Sequence, residues 1–125
     1  MEEGMTIQNF RELVVWQKGM SLAKMCYQVT VSFPKSELFG MTSQIRRAAV
    51  SVPANIAEGN ARAHTKEYLH HLSVAKGSLA ELETHLILSK EIGILTNPDM
   101  EKCMSLIDEI SRMLTSLRFS LERLL

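Results

Sequence analysis

Three groups of side chains in this sequence could do chemistry. Glu67 and His70 form a Glu-x-x-His pair, and on a helix the two would project from one face, as the ligands of di-metal carboxylate bundles do. Such a site needs a second Glu-x-x-His and a Glu from each of two further helices, and the sequence holds no second pair. His71 and His85 are fourteen residues apart, about 21 Å along a helix, too far to share a metal. The four histidines therefore read as surface or interface residues. No phosphate-cradling Gly-rich loop and no G-x-S-x-G elbow occurs. No cofactor, metal or catalytic residue is expected, and the protein is read as not an enzyme.

Cys26 and Cys103 have no CxxC spacing and fall inside apolar helical patterns. They read as buried free thiols of a reducing compartment. The third group is the densest polar cluster: Gln44, Arg46, Arg47, Ser51, Asn55 and Glu58. It allows two readings. Arg46 and Arg47 could be phosphate contacts, or the whole set could be a solvated helix face with partners for helix-end carbonyls. Gln44, Asn55 and Glu58, with Glu81 further on, are taken as structural polar residues.

The elements that must position these groups are all helical. Helix one is predicted over Asn9 to Ser32: Asn9 and Glu12 have capping-box spacing, and Phe33-Pro34 ends the run. Its seam is Leu13, Trp16, Met20, Ala23 and Tyr27. Helix two is predicted over Thr42 to Glu58, with Met41, Ile45, Ala48, Val52 and Ile56 inward, a kink or break at Pro53, and Gly59-Asn60 closing it. Helix three spans Thr65 to Ile92 on Tyr68, Leu72, Ala75, Leu79, Leu82 and Leu86, with Gly93 as C-cap. Helix four begins at Asn97-Pro98 and runs close to Leu125 on Met100, Cys103, Ile107, Ile110, Leu114, Leu117 and Leu121. No stretch alternates as a strand. Four amphipathic helices with short connections predict an all-α, antiparallel up-and-down four-helix bundle. One domain over 1–125 is expected, with 1–8 as a flexible N-terminal tail.

Two stripes exceed what one bundle core needs. Val15, Leu22, Cys26 and Val29 form a second apolar face on helix one. Ser73, Gly77, Ala80 and Thr84 form a small-residue face on helix three. Glycine inside a helix costs about 1 kcal/mol against alanine, so close approach of another helix is the expected compensation. Both stripes are assigned to a homo-oligomer interface. The 125 residues are 46 % apolar and carry 14 basic and 14 acidic side chains, a formal net charge of zero. Residues 9–63 hold seven basic and three acidic side chains, a local excess of +4. Met1 to Phe10 lacks an apolar signal region and no apolar run reaches membrane-spanning length. A cytoplasmic protein with no membrane contact is expected.

Several stretches, taken in order, carry a resemblance. They are Phe10-Arg-Glu-Leu-Val-Val-Trp16-Gln, Phe33-Pro-Lys-Ser-Glu37, Gln44-Ile-Arg46 through Ser51-Val-Pro53-Ala-Asn55-Ile-Ala-Glu58-Gly59, and Gly77-Ser78-Leu-Ala-Glu81-Leu-Glu83-Thr84. From Phe10 to about Leu121 the chain resembles the bacterial four helix bundle protein family. That family is also called the ribosomal-RNA intervening-sequence protein family, because some members are encoded within insertions in the large-subunit rRNA gene. The resemblance implies an up-and-down bundle, a ring-shaped homopentamer and a link to nucleic acid. A related branch, the accessory proteins of diversity-generating retroelements, forms pentameric barrels that work with a reverse transcriptase and its RNA. Two functions follow. One is an RNA- or DNA-associated ring with Arg46, Arg47, Arg62, Lys35 and Lys66 as phosphate contacts. The other is a protein-interaction scaffold that binds no nucleic acid. Salt-dependent binding to generic RNA separates them.

Overall fold

A computed structural model describes residues 9–125, and the expected tail over 1–8 lies outside the described residues. Within them the regular structure is four helices, α1 (Val14–Thr30), α2 (Met41–Ala61), α3 (Thr65–Glu91) and α4 (Asn97–Glu122), with 3-10 turns at Phe10–Glu12 and Lys35–Glu37.

The helix ends differ from the sequence pattern in instructive ways. Asn9 does cap, its Oδ1 accepting from the Arg11 N–H at 2.9 Å, but it caps the 3-10 turn, and α1 starts five residues later than expected. The α2 helix is longer than expected at both ends. Its first turn is held by the Met41 N–H donating to Glu37 Oε1 at 3.1 Å. It also runs unbroken through Pro53. That proline deprives the Ala49 carbonyl of its helical donor, yet its ring is buried where α1 approaches at Gly19; a Cβ on Gly19 would lie 3.2 Å from Pro53 Cβ. Gly59 does not close α2. It is buried within the helix, and a Cβ there would meet His71 Cβ at 2.9 Å and Tyr68 Cδ1 at 3.0 Å. Its role is to let α3 come close. Gly93 is the expected cap. With φ of +87°, it turns the chain so that the Ile94 N–H donates to the Ser89 carbonyl and its own N–H to that of Lys90, a Schellman motif. The N-cap of α4 is Thr96, whose Oγ1 accepts from the Asp99 N–H at 3.3 Å; Asn97 is already inside the first turn, ahead of Pro98.

Each helix packs on its predecessor and α4 closes on α1. Side-chain contacts give the register: Arg46 to Thr30, Ser51 to Ser78, His71 to Asn55, Lys76 to Thr115, Arg118 to Ser73 and Lys18 to Glu109. With Gly19 against Pro53 for α1 and α2 and Val15 beside Met113 and Leu117 for α1 and α4, rising numbers meet falling ones in every adjacent pair, so neighbours are antiparallel. Ile45, Ala48, Val52 and Ile56 of α2, Leu72, Ala75, Leu79, Leu82 and Leu86 of α3, and Cys103, Ile107, Ile110 and Leu114 of α4 form the core, as their spacing predicts.

Helix α1 reverses its expected faces. Val15, Leu22, Cys26 and Val29 are buried in the chain's own core, Leu22 and Cys26 completely. A side chain inside the monomer cannot be presented to a second subunit, so these four are not the interface. The seam expected inward is the outer one. Met20 and Tyr27 are exposed and Trp16 is half-buried, its ring edge-on to Phe10 at 5.3 Å. Only Ala23 of that seam is buried.

Candidate functional site

The five cations expected to contact phosphate do not form one patch. Arg46, Arg47 and Lys35 gather where α1 hands over to α2, whereas Arg62 and Lys66 flank the turn into α3, about 22 Å further along α2. Two of the five are already engaged. Arg46 Nε donates to Thr30 Oγ1 at 2.9 Å, and its guanidinium stacks 4.6 Å from the Tyr27 ring centre. Arg62 donates to Glu58 Oε2 at 2.7 Å. Arg47, Lys35 and Lys66 are exposed and have no carboxylate partner among the described residues.

The polar cluster on α2 is a wired strip between α2 and α3. Asn55 Nδ2 donates to the Ser51 carbonyl at 2.9 Å and to its hydroxyl at 3.1 Å, and Ser51 shares a 2.8 Å hydrogen bond with Ser78. Asn55 Oδ1 faces His71 Nδ1 at 3.1 Å, and the other imidazole nitrogen lies 3.8 Å from Glu58. The Arg62 hydrogen bond, reinforced by His71, holds the Glu58 carboxyl below the usual carboxylate range. Asn60 donates to the Tyr68 hydroxyl at 3.3 Å, and burial pushes that phenol up. Asn55 thus bonds backbone as expected, but to the Ser51 carbonyl rather than the one Pro53 frees. Gln44 is half-buried and stands outside the strip. Glu81 faces His85 at 3.4 Å one turn along α3. The strip contains no serine in contact with a base and lies along a helix seam, an arrangement that ties helices together.

The surface feature that stands out was missed by helical periodicity. Phe39 is 93 % exposed, in the turn before α2. With Leu38, Tyr27 and Val50, all at least two-fifths exposed, it lines a groove of about 680 Å³ between α1 and α2, rimmed by Arg46 and Arg47. An isolated exposed leucine is ordinary, but here four exposed apolar side chains line one groove. Phe39 could have been noticed as a large apolar residue between Pro34 and Gly40, outside every helical repeat. On the opposite side a second groove of about 510 Å³ runs between α3 and α4, floored by Leu79, Ala80, Met104 and Ile107 and edged by Glu83, Glu101 and Asp108 with Lys76. The small stripe Ser73, Gly77, Ala80 and Thr84 is exposed throughout, and of it Ala80 lines this groove. A Cβ on Gly77 would touch nothing within 4 Å.

Cys26 of α1 and Cys103 of α4 are fully buried free thiols in the core. Hydrogen bonding between them holds the Cys103 thiol down, and the same partner with burial pushes Cys26 far up. Among the described residues no three His, Cys, Asp or Glu side chains are grouped as metal ligands, and no helix is long and apolar enough to cross a membrane.

Residues 11–116 match the family described as 23S rRNA-intervening sequence protein. A solved structure from Bacteroides thetaiotaomicron, a protein of unknown function from the S23 ribosomal protein family, is similar to this chain. It shares 25 % sequence identity with a TM-score of 0.75, over 83 % of this chain and 97 % of that one. No curated protein matches.

Proposed function

Because the chain belongs to the 23S rRNA-intervening sequence protein family, in which the resemblance above implies ring-shaped homopentamers, we propose that it is a non-enzymatic, self-assembling scaffold. Its α1–α2 groove docks on the α3–α4 groove of the next copy. The observation that carries this reading is the pairing of an apolar, arginine-rimmed face with an apolar, acid-edged face on opposite sides of one bundle. The antiparallel register adds a geometric reason. Ser51 is level with Ser78, and Lys76 with Thr115. Counting about one turn from the first pair sets Arg46 and Arg47 at the height of Glu83, and about two turns from the second sets Glu83 at that of Asp108. Two copies side by side with parallel axes therefore bring cations to carboxylates. A heterologous contact that repeats by rotation closes into a ring.

Light scattering on the eluting protein tests this. The wild type should run as a multimer, and Phe39→Glu should weaken association at least about tenfold, because each interface forgoes about 1.5–3 kcal/mol of apolar burial. Arg47→Glu should weaken it too, and Glu83→Arg in the same chain should restore it. A wild type at the mass of one chain at micromolar concentration refutes the scaffold.

A second reading, association with RNA, is supported by the exposed Arg47 and Lys35 on the rim of the same groove and by the family's link to an rRNA insertion. Anisotropy of a labelled RNA at two salt concentrations tests it. Arg46→Glu/Arg47→Glu should flatten the slope of log affinity against log salt by roughly 0.7 for each phosphate no longer neutralised. Absence of binding at low salt removes this reading and leaves the scaffold.

A further inference from the structure

We infer that the start of α2 is a binding site for a nucleoside monophosphate unit, its phosphate in a small cationic hollow and its base in the aromatic groove alongside. The hollow, of about 130 Å³, lies at the α1–α2 connection, where Lys35, Thr30 and Phe33 line it. It shares Arg46, Thr42 and Leu38 with the groove of about 680 Å³ that holds Phe39 and Tyr27, so these three side chains form a common wall. At about 30 Å³ for each water the hollow has room for roughly four, the size of one phosphate group. The groove has the volume of an ordinary small-molecule pocket.

Three features choose the ligand. The first is an arginine held by neutral groups. Arg46 Nε donates to Thr30 Oγ1 at 2.9 Å, Nη2 donates to the Tyr27 carbonyl at 3.5 Å, and the guanidinium stacks on the Tyr27 ring. These contacts fix its plane without neutralising its charge, and Nη1 has no partner among the described residues. Lys35 lines the same hollow, is exposed, and has no carboxylate partner among them either. Two such cations around a phosphate-sized space suit a dianion. The nearby Glu37 lines neither space, and its Oε1 is committed to the Met41 N–H at 3.1 Å. The second feature is Thr42, which is 4 % exposed and lines both spaces. Its hydroxyl has no hydrogen-bond partner among the described residues. Leaving a buried hydroxyl unpaired is unfavourable, and a phosphate oxygen or a ribose hydroxyl supplies the missing partner. The third is the pair of exposed aromatic rings, Tyr27 and Phe39, in one groove. Bases stack on such faces and on guanidinium planes.

This deepens the RNA reading above, replacing general phosphate contacts with a site built for one nucleotide. The unit can be a free nucleotide or the 5′-phosphorylated end of a single-stranded RNA.

Isothermal titration calorimetry on the full-length protein tests the site with AMP, adenosine, inorganic phosphate, and a short single-stranded RNA bearing a 5′-phosphate or a 5′-hydroxyl. AMP should bind at least about tenfold tighter than adenosine or phosphate alone, because each supplies half of the contacts. Phe39→Ala and Lys35→Gln, both at exposed positions where loss of binding is not loss of fold, should each weaken AMP at least about fivefold. Thr42→Val should weaken it in the same direction. Phosphorylated RNA that binds tighter than AMP assigns the site to an RNA end, and equal binding assigns it to the free nucleotide. No binding of AMP at millimolar concentration, adenosine or phosphate binding as well as AMP, or AMP binding indifferent to Phe39→Ala would overturn the site. RNA bound in a salt-dependent way, but equally with a 5′-hydroxyl and without regard to Phe39, would overturn it while leaving the RNA reading in place. A docked copy and a nucleotide exclude each other in this groove. Phe39-dependent AMP binding with no change in the light-scattering mass of an assembled wild type would therefore uphold the site and refute the docking mode.

Discussion

Two helical glycines should respond with opposite sign to the same substitution. In Gly77→Ala the new methyl meets nothing within 4 Å, so the only change within one chain is helix propensity, a gain of about 1 kcal/mol. In Gly59→Ala the same gain is available, but the methyl must fit 2.9 Å from His71 Cβ, 3.0 Å from Tyr68 Cδ1 and 3.3 Å from the Tyr68 carbonyl oxygen. Carbon pairs are comfortable at about 3.5–4.0 Å. The Cβ and carbonyl belong to the body of α3, so relief requires α2 and α3 to separate where the Asn55–His71 hydrogen bond joins them. Overpacking of this kind costs about 1–3 kcal/mol, and the rigidity of the neighbours puts it at the upper end. The net is a loss of about 1–2 kcal/mol for Gly59→Ala against a gain of about 1 for Gly77→Ala. With about 3–5 °C of melting temperature per kcal/mol at this chain length, the two variants should differ by roughly 6–15 °C. Urea unfolding followed by circular dichroism at several protein concentrations checks the sign, because assembly adds a concentration dependence that packing does not. A Gly59→Ala protein as stable as Gly77→Ala would refute the close-approach argument. Gly77→Leu adds a bulkier probe: helicity should persist while self-association weakens.

Three further outcomes concern single side chains and one turn. Asn55→Ala should lower stability by about 1–2 kcal/mol, read as a shifted urea midpoint, because it strips partners from Ser51 and from half-buried His71; an unaltered midpoint would assign Asn55 to function instead. Glu58 has a folded-state pKa below its ordinary value of 4.5, so its contribution is present above that pH and fades as pH falls through the folded value. Glu58→Gln should accordingly melt below the wild type at neutral pH, with the gap closing as the pH falls through the lowered folded-state value. Gly93→Ala should cost about 1 kcal/mol in thermal unfolding, since φ of +87° is poorly accessible to a residue with a Cβ.

The sequence alone determined the parts that local chemistry controls. Leucines and isoleucines repeating every three or four residues made α3 and α4 helices with one inward face, because an amphipathic helix has one way to bury its stripe. Gly93 and Pro98 marked the α3–α4 junction through backbone geometry that needs no distant partner. Only the tertiary structure decided between the two stripes of α1. Trp16, Met20 and Tyr27 are as apolar as Val15, Leu22, Cys26 and Val29, and the choice was made by where α2 and α4 sit. Gly59 reads locally as a helix stop, and only the passage of Tyr68 and His71 across it turns it into a point of close approach. Lys35, Arg46, Arg47 and Arg62 belong to one basic stretch, residues 9–63, but about 22 Å of helix and the engagement of Arg46 and Arg62 divide them. The Phe39 groove and its acidic counterpart belong to no single segment. The first needs Tyr27 of α1 beside the 38–51 segment, and the second joins α3 to α4 residues placed at a common height by an antiparallel register that no local pattern encodes.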